Sequence, residues 1–348
     1  MPPHLLPGRV AVALALACAT AAFAPASQAD IRTMIVTSDP QYPWTPSSDA
    51  DEPESDADRD ELSRALIEEQ YRSIAAYRDA RPGQDIPVFI NGDLTAYGHG
   101  WQRNVMDELL KILGDNVHIG LGNHDYANNI RRSEGSGCFN NGCARDSIQG
   151  LVQHVVRKRE KVGFDFTTRP GVFGDEYEGS LAYAVRAPGM DRVLNVQLNN
   201  HPSYEVTFDS YAGLRKSRYQ ITSSVPWLQN LLKTYLSVPA YGKPSDRPFD
   251  FAILHMHDAD ADGANFEFAS MVANNDVAAI FAGHLHAWAG RYGDIGGVPV
   301  FLSGSASERT YLIVEHDTEA SELRVYRVND NDPDRKTLAG RVNLPQPR

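Results

Sequence analysis

Beyond its first two dozen residues the 348-residue chain has no uncharged apolar run approaching the ~20 residues a spanning helix needs, so no transmembrane anchor is expected. Cysteine is nearly absent, three in all, which excludes a disulfide-scaffolded mini-protein and a multi-cysteine zinc framework. Basic residues are outnumbered, 33 Lys and Arg against 45 Asp and Glu, and a net charge of −12 disfavours a nucleic-acid polymer as partner, because phosphate backbones are gripped by basic faces. Internal repeats and low-complexity linkers are also missing. What remains is an ordinary globular composition, 42% hydrophobic and 22% charged, with enough apolar residues for a full core.

The one concentrated apolar stretch lies at the start. Arg9 precedes the alanine-rich run Val10 to Ala24, followed by Pro25 and the small-residue pattern Ser27-Gln28-Ala29. Residues 1–29 therefore read as a secretory signal peptide, and the chain as exported, periplasmic or secreted. Cys18 falls inside that segment, which leaves Cys138 and Cys143 around the turn-forming Phe139-Asn140-Asn141-Gly142. In an oxidising compartment the pair is expected to form a local disulfide, the alternative being two free thiols or a metal clip.

Five short polar clusters each close an apolar run: Asp39-Pro40-Gln41, Gly92-Asp93, Gly122-Asn123-His124-Asp125, His255 and Gly283-His284-Leu285-His286. The runs before them, Thr33 to Thr37, Ile86 to Ile90, Val117 to Leu121, Phe249 to Leu254 and Val277 to Phe281, have the length and β-branched content of buried strands. Helical patterns at Glu61 to Arg78 and about Trp101 to Leu113 alternate with them, while the acidic Asp49 to Asp60 reads as a solvated loop. Strand, crossover helix and strand imply parallel pairing, and side chains at the carboxyl ends of parallel strands share one crevice. Residues 30–348 are read as a single α/β domain with an insertion around 126–240. That insertion carries a helix near Ser147 to Lys161, strands at Leu181 to Arg186 and Val193 to Leu198, and a helix near Trp227 to Leu236. Three further strands are expected at Val298 to Leu302, Thr310 to Glu315 and Leu323 to Val328.

Spacing of two along an extended segment lets Asp39 with Gln41, and His284 with His286, present paired side chains to one cavity. Mixed nitrogen and oxygen donors suit zinc, iron or manganese better than calcium. With all five motifs in this order from about Ile31 to Ser305, the chain resembles a calcineurin-like metallophosphoesterase. The resemblance implies a layered α/β/β/α sandwich with its metal site at the strand C-terminal ends. It also implies two divalent or trivalent ions (Mn, Fe, Zn or Mg): one held by Asp39, Gln41, Asp93 and His286, the other by Asp93, Asn123, His255 and His284. Asp93 would bridge them. His257 shares a strand face with His255, and His255 is chosen because the apolar run stops there. The implied reaction is hydrolysis of small phosphomonoesters or phosphodiesters by a hydroxide bridging cations roughly 3.5–4 Å apart. His124 would stabilise charge or protonate the leaving oxygen, with Asp125 orienting it or supporting the metal shell.

Gln41 departs from the His common at this position in the family. An amide oxygen is a weaker and harder donor, which lowers affinity or shifts preference toward manganese or magnesium. Residues Leu94 to His99 lack the Asp and Arg of protein serine/threonine phosphatases, and Ala96 stands where purple acid phosphatases carry a metal-binding Tyr. Candidate substrate contacts are Tyr42, Trp44, His99, Asn199, Asn200, His201 and His257, each with packing or turn formation as its alternative. Two rival functions stay open. A phospholipid head-group hydrolase would show an exposed apolar rim at Tyr42 and Trp44. A non-catalytic secreted protein retaining the fold would not need His124 beside a nearly complete ligand set.

Overall fold

The computed structural model describes residues 30–131, 138–239, 241–263 and 265–345. The expected signal segment 1–29 lies outside the described residues.

Two large sheets lie face to face. The first has six strands in the order Thr337–Asn343, Glu322–Val328, Tyr311–Asp317, Ile31–Thr37, Val88–Ile90 and Val117–Ile119, with the last three mutually parallel. Ile31–Thr37 sits in mid-sheet, antiparallel to Tyr311–Asp317 on its other side. That position explains a sequence apolar at successive residues rather than alternating, since both of its faces are covered. The second sheet has seven strands in the order Ala289–Ile295, Val298–Ser303, Val277–Ala282, Phe251–His255, Val193–Gln197, Tyr183–Val185 and Lys161–Phe164. Its four central strands are parallel.

Contacts between the sheets are direct: the Phe89 ring stacks on His255 with centroids 4.1 Å apart, and the Tyr183 hydroxyl donates to the Ile119 carbonyl at 2.7 Å. Helix Asp56–Asp79 covers the outer face of the first sheet through Ile67, Tyr71, Ile74 and Tyr77, which recur at helical spacing and are buried. Helices Val225–Leu236 and Phe266–Ala273 cover the second sheet, packing Leu228, Leu232, Phe268 and Val272 against Leu194, Leu254 and Ile280. The layers are thus α/β/β/α, and the five polar clusters stand at or just past the carboxyl ends of strands Ile31–Thr37, Val88–Ile90, Val117–Ile119, Phe251–His255 and Val277–Ala282.

Several boundaries differ from the sequence expectation for local reasons. The acidic stretch is half helical: Thr45 caps a single turn, Pro46–Asp49, with Pro at its first position, and Ser55 caps Asp56–Asp79 by accepting from the Asp58 amide at 3.2 Å. Acidic residues in a first turn complement the helix dipole, so the charge that signals a loop here serves a helix start. The helix expected at Ser147 to Lys161 spans Gly142–Arg157, after which the backbone turns extended at Lys158 and Lys161 opens a strand. Strands Ala289–Ile295 and Thr337–Asn343 were not anticipated. Both are sheet edges containing glycine and charge, the composition that protects an edge and hides its pattern.

The stretch between the third polar cluster and strand Phe251–His255 also builds a four-stranded sheet of Thr167–Arg169, Glu176–Glu178, Arg215–Ile221 and Val206–Ala212. Cys138 and Cys143 are joined in a disulfide with Cα atoms 5.3 Å apart. Closing so short a loop contributes roughly 2 kcal/mol by chain entropy. Its position explains its use, because Cys138 Sγ lies 3.4 Å from the Tyr97 carbonyl and so ties the segment leading into the small sheet to the loop after Asp93. Thiol titration of residues 30–348, denatured and unreduced, is expected to find no free cysteine; two free thiols would contradict the disulfide.

Candidate metal centre

Asp39, Gln41, Asp93 and His284 have φ values of 52°, 44°, 48° and 70°, in the left-handed region that side-chain-bearing residues rarely adopt. Each such residue costs on the order of 1–3 kcal/mol and persists only where its surroundings over-determine it. Here they fix one another. The Gln41 amide donates to the Asp93 carbonyl at 2.8 Å, the Asp39 amide to the Gly92 carbonyl at 3.1 Å, and the His284 amide to Asp39 Oδ2 at 2.9 Å. Two glycines permit the approach: a Cβ on Gly122 would collide with the Asp93 carboxylate, and one on Gly283 with Ser38 Oγ and Asp39 Oδ2.

The side chains so held converge. His257 Nε2 lies 2.9 Å from Asn123 Oδ1 and 3.1 Å from Asp93 Oδ2, while its Nδ1 lies 2.9 Å from the Asn91 carbonyl. Asp39 Oδ1 faces His286 Nε2 at 3.3 Å, and the His257 and His284 rings meet edge-to-face at 5.2 Å. Ligand atoms of Asp39, Asp93 and His257 all lie within 4.8 Å of one another, and all three residues are buried. Burial pushes the Asp39 carboxyl up, but His257 and His286 outweigh it and hold the group ionised. Burial likewise disfavours charge on His257 and His286, yet Asp93 and Asp39 raise the first, and Asp39 with Asp49 raise the second. Buried carboxylates that hold protons on two histidines form a site that stabilises added positive charge.

His255 does not belong to this cluster. It is fully buried between the sheets, stacked on Phe89 with its Nε2 3.2 Å from Asn195 Oδ1, and burial lowers its pKa to about 3. The strand ends at His255, so the next residues leave the sheet; the His257 amide donates to the Asn199 carbonyl at 2.7 Å, which swings its ring over Asp93. Alternation along a strand predicts a shared face only while the strand continues. His257→Ala is expected to lose metal from the second site while His255→Leu retains it, as read by metal content after dialysis. Equal loss in both would refute the reassignment.

Other expected residues separate into site and scaffold. Trp44 and His124 line a cleft of about 510 Å³ together with Gln41, His284, His286 and the half-exposed Trp288. His124 Nδ1 lies 2.9 Å from the Ala96 carbonyl, a contact that assigns the proton to Nδ1 and leaves Nε2 as the second ring nitrogen. Asp125 does not touch that ring. Its carboxylate accepts from the amides of Leu94, Thr95 and Gly122 and from the Thr95 hydroxyl, so it binds the two ligand loops together from beneath. Its pKa is raised, by burial first and by Asp93 second. Asp125 is a positioning residue, not a proton-transfer partner of His124.

Tyr42 is core, set edge-to-face against Trp101, so no aromatic rim forms at Tyr42 and Trp44 and the head-group hydrolase loses its expected feature. His99 is drawn to the disulfide, its Nδ1 3.7 Å from Cys143 Sγ, and its ring stacks near Trp101. Asn199 is a buried tie that accepts from the Leu121 amide and donates to the Leu181 carbonyl. The Asn200 carbonyl receives the amides of His257 and Asp258, and His201 packs on Tyr204. None of Tyr42, His99, Asn199, Asn200 or His201 lines the cleft.

Asp49 was missed. It accepts from Trp44 Nε1 and Ser307 Oγ, both at 2.7 Å, and lies 2.6 Å from His286 Nδ1, the arrangement in which a carboxylate fixes the tautomer of a ligating imidazole. The signal was present in Thr45-Pro46-Ser47-Ser48, a helix start that turns Asp49 inward.

The structure also tests whether this donor set suits a metal. Gln41 is 1% exposed and neither atom of its side-chain amide has a hydrogen-bond partner. A buried amide left so costs on the order of 1–3 kcal/mol. In the cleft that Gln41 lines with Asp93, His284 and His286, its oxygen is available as a donor to a cation, and the mixed oxygen and nitrogen set is one that first-row metals accept.

The calcineurin-like phosphoesterase family model matches residues 33–288. No curated protein matches the chain. Solved structures with a similar fold include a purple acid phosphatase from yellow lupin (Lupinus luteus) seeds, at 10% identity and TM-score 0.46, covering 90% of this chain and 53% of that one. A calcineurin-like phosphoesterase from Bacillus subtilis gives 11% identity and TM-score 0.37, covering 90% of each chain. A 5'-nucleotidase precursor from Thermus thermophilus gives 12% and 0.40, covering 91% of this chain and 55% of that one. The chain thus spans little more than half the length of the lupin and Thermus proteins.

Proposed function

Because the chain belongs to the calcineurin-like phosphoesterase family, we propose that it is an exported dinuclear metal-dependent hydrolase of small phosphomonoesters or phosphodiesters. Asp39, Gln41, Asp93 and His286 would hold one ion, and Asp93, Asn123, His257 and His284 the other. When bound, the pair would supply Lewis-acid stabilisation of phosphoryl oxygens and a water of lowered pKa as nucleophile. The observation that carries this reading is the buried, unpartnered Gln41 amide on the cleft that Asp93, His284 and His286 also line.

This chain's own residues do the rest. Asp49 fixes His286 by its contact at Nδ1, which directs Nε2 toward Asp39. The Asn91 carbonyl does the same for His257, leaving Nε2 toward Asn123 and Asp93. With Nδ1 held on the Ala96 carbonyl, His124 would act through Nε2, which in the doubly protonated imidazolium carries the proton to be given to the departing oxygen. Trp44 and Trp288, on the cleft wall, offer apolar surface to an organic leaving group. Export rests on the N-terminal sequence together with the disulfide.

Metal content after dialysis against a chelator, compared among wild type, Gln41→His and Gln41→Ala, tests the assignment. Imidazole is the better donor to zinc and iron, so Gln41→His is expected to retain more metal and Gln41→Ala less. Equal retention in all three would remove position 41 from the coordination sphere. A panel of phosphomonoesters, cyclic nucleotides and phospholipids, run on the same preparations, identifies the substrate class.

A further inference from the structure

The small sheet ends in an exposed apolar tip. Strands Glu176–Glu178 and Arg215–Ile221 are parallel, and Arg215–Ile221 pairs antiparallel with Val206–Ala212. The turn between Ala212 and Arg215 and the loop before Glu176 therefore emerge at the same end. The Lys216 amide donates to the Phe173 carbonyl at 2.9 Å, which holds the two turns side by side. Val172 is 89% exposed, Phe173 82% and Leu214 102%, so these side chains project into solvent with almost no protein contact. Single exposed apolar residues are ordinary on protein surfaces, but three on adjacent turns at the extremity of a sheet are a candidate contact surface.

Charge selects the occupant. Residues 169–174 and 211–218 contain Arg169, Arg215, Lys216 and Arg218 and no Asp or Glu, the nearest acids being Asp175, Glu176 and Asp209, which lie level with Arg169 and Arg218 across the strands and behind the apolar turns. Arg169, Arg215 and Lys216 pair with Glu178, Asp175 and Asp209 at about 3 Å, but their side chains are 70%, 58% and 48% exposed. Exposed pairs of this kind are weak and exchange readily for another anion. Apolar side chains at a tip, ringed by flexible cations whose stems can lie along the same surface, match an anionic lipid interface: hydrocarbon beyond, phosphate in the head-group plane.

We propose that Val172, Phe173 and Leu214 insert into the head-group boundary of an anionic membrane surface, with Arg169, Arg215, Lys216 and Arg218 against lipid phosphates, so that this chain docks peripherally. The contact is independent of the hydrolytic reading, since none of these residues lines the catalytic cleft.

Co-sedimentation of the full mature chain with phosphatidylcholine vesicles, with and without phosphatidylglycerol, tests it. Wild type is expected to bind the phosphatidylglycerol vesicles, less as salt rises, and to ignore pure phosphatidylcholine. Phe173→Ser with Leu214→Ser should abolish sedimentation, whereas Leu62→Ser, an exposed apolar residue on helix Asp56–Asp79, should not. Arg215→Glu with Lys216→Glu should weaken binding by at least roughly thirtyfold, from about 1 kcal/mol for each cation removed. Phe173→Trp should show a blue-shifted emission on binding. All variants should keep the wild-type melting temperature and hydrolysis of a soluble aryl phosphate, because the tip supports nothing behind it. Failure of wild type to bind anionic vesicles, or undiminished binding by both double variants, would overturn the proposal. So would a tip-dependent self-association in the absence of vesicle binding, which would make the occupant a second copy of this chain.

Discussion

Asp93→Asn is expected to lose both metals and, with them, turnover. Asp93 presents Oδ1 to the His124 amide at 2.8 Å and Oδ2 to His257 at 3.1 Å, and it is 1% exposed. An asparagine oxygen can still accept from the His124 amide, so the loop after strand Val88–Ile90 should keep its form. What disappears is the negative charge that two cations would share, and an amide cannot replace it. Metal content after gel filtration and the melting temperature in the presence of a chelator separate the two effects. The first should fall toward zero while the second stays close to that of the metal-stripped wild type. Full metal occupancy in the variant would show that Asp93 bridges nothing.

His124→Ala should behave differently. Its Nδ1 is committed to the Ala96 carbonyl and its ring stands edge-to-face with Trp44, centroids 5.4 Å apart, on the wall of the cleft. It touches none of the buried carboxylates through its ring, so both metals should stay while the turnover number falls by roughly 10²–10⁴, the contribution of a positioned general acid. The loss should shrink with substrates whose leaving group is a good one, such as a nitrophenolate, because these need little protonation. A loss independent of leaving-group pKa, or an emptied metal site, would remove the proton-transfer role.

Much of this site could be read along the chain because local chemistry is what sequence carries best. A turn-forming polar group after a β-branched run marks a strand end, and Asp39, Gln41, Asp93, Asn123, His284 and His286 follow that pattern, whereas His255, nominated by the same pattern, lies between the sheets. The layered fold was legible for the same reason: strands covered on both faces must be apolar throughout, and helix Asp56–Asp79 shows its buried stripe. Edge strands were harder, because a strand that must repel partners is written in glycine and charge.

The sequence by itself determined the strand-end placement of the polar clusters and the cysteine pair. Tertiary structure alone places the His257 ring beside Asp93 and the His255 ring between the sheets, because that depends on where pairing with Val193–Gln197 and Val277–Ala282 stops and on which ring then has Phe89 beneath it. It also decided that Asp49 stands behind His286, 237 residues away in sequence, and that Asp125 braces loops instead of serving His124. Side-chain chemistry is a property of one residue. Which group faces a cation, which faces a backbone amide and which faces only carbon is a property of neighbours, and these come from distant parts of the chain.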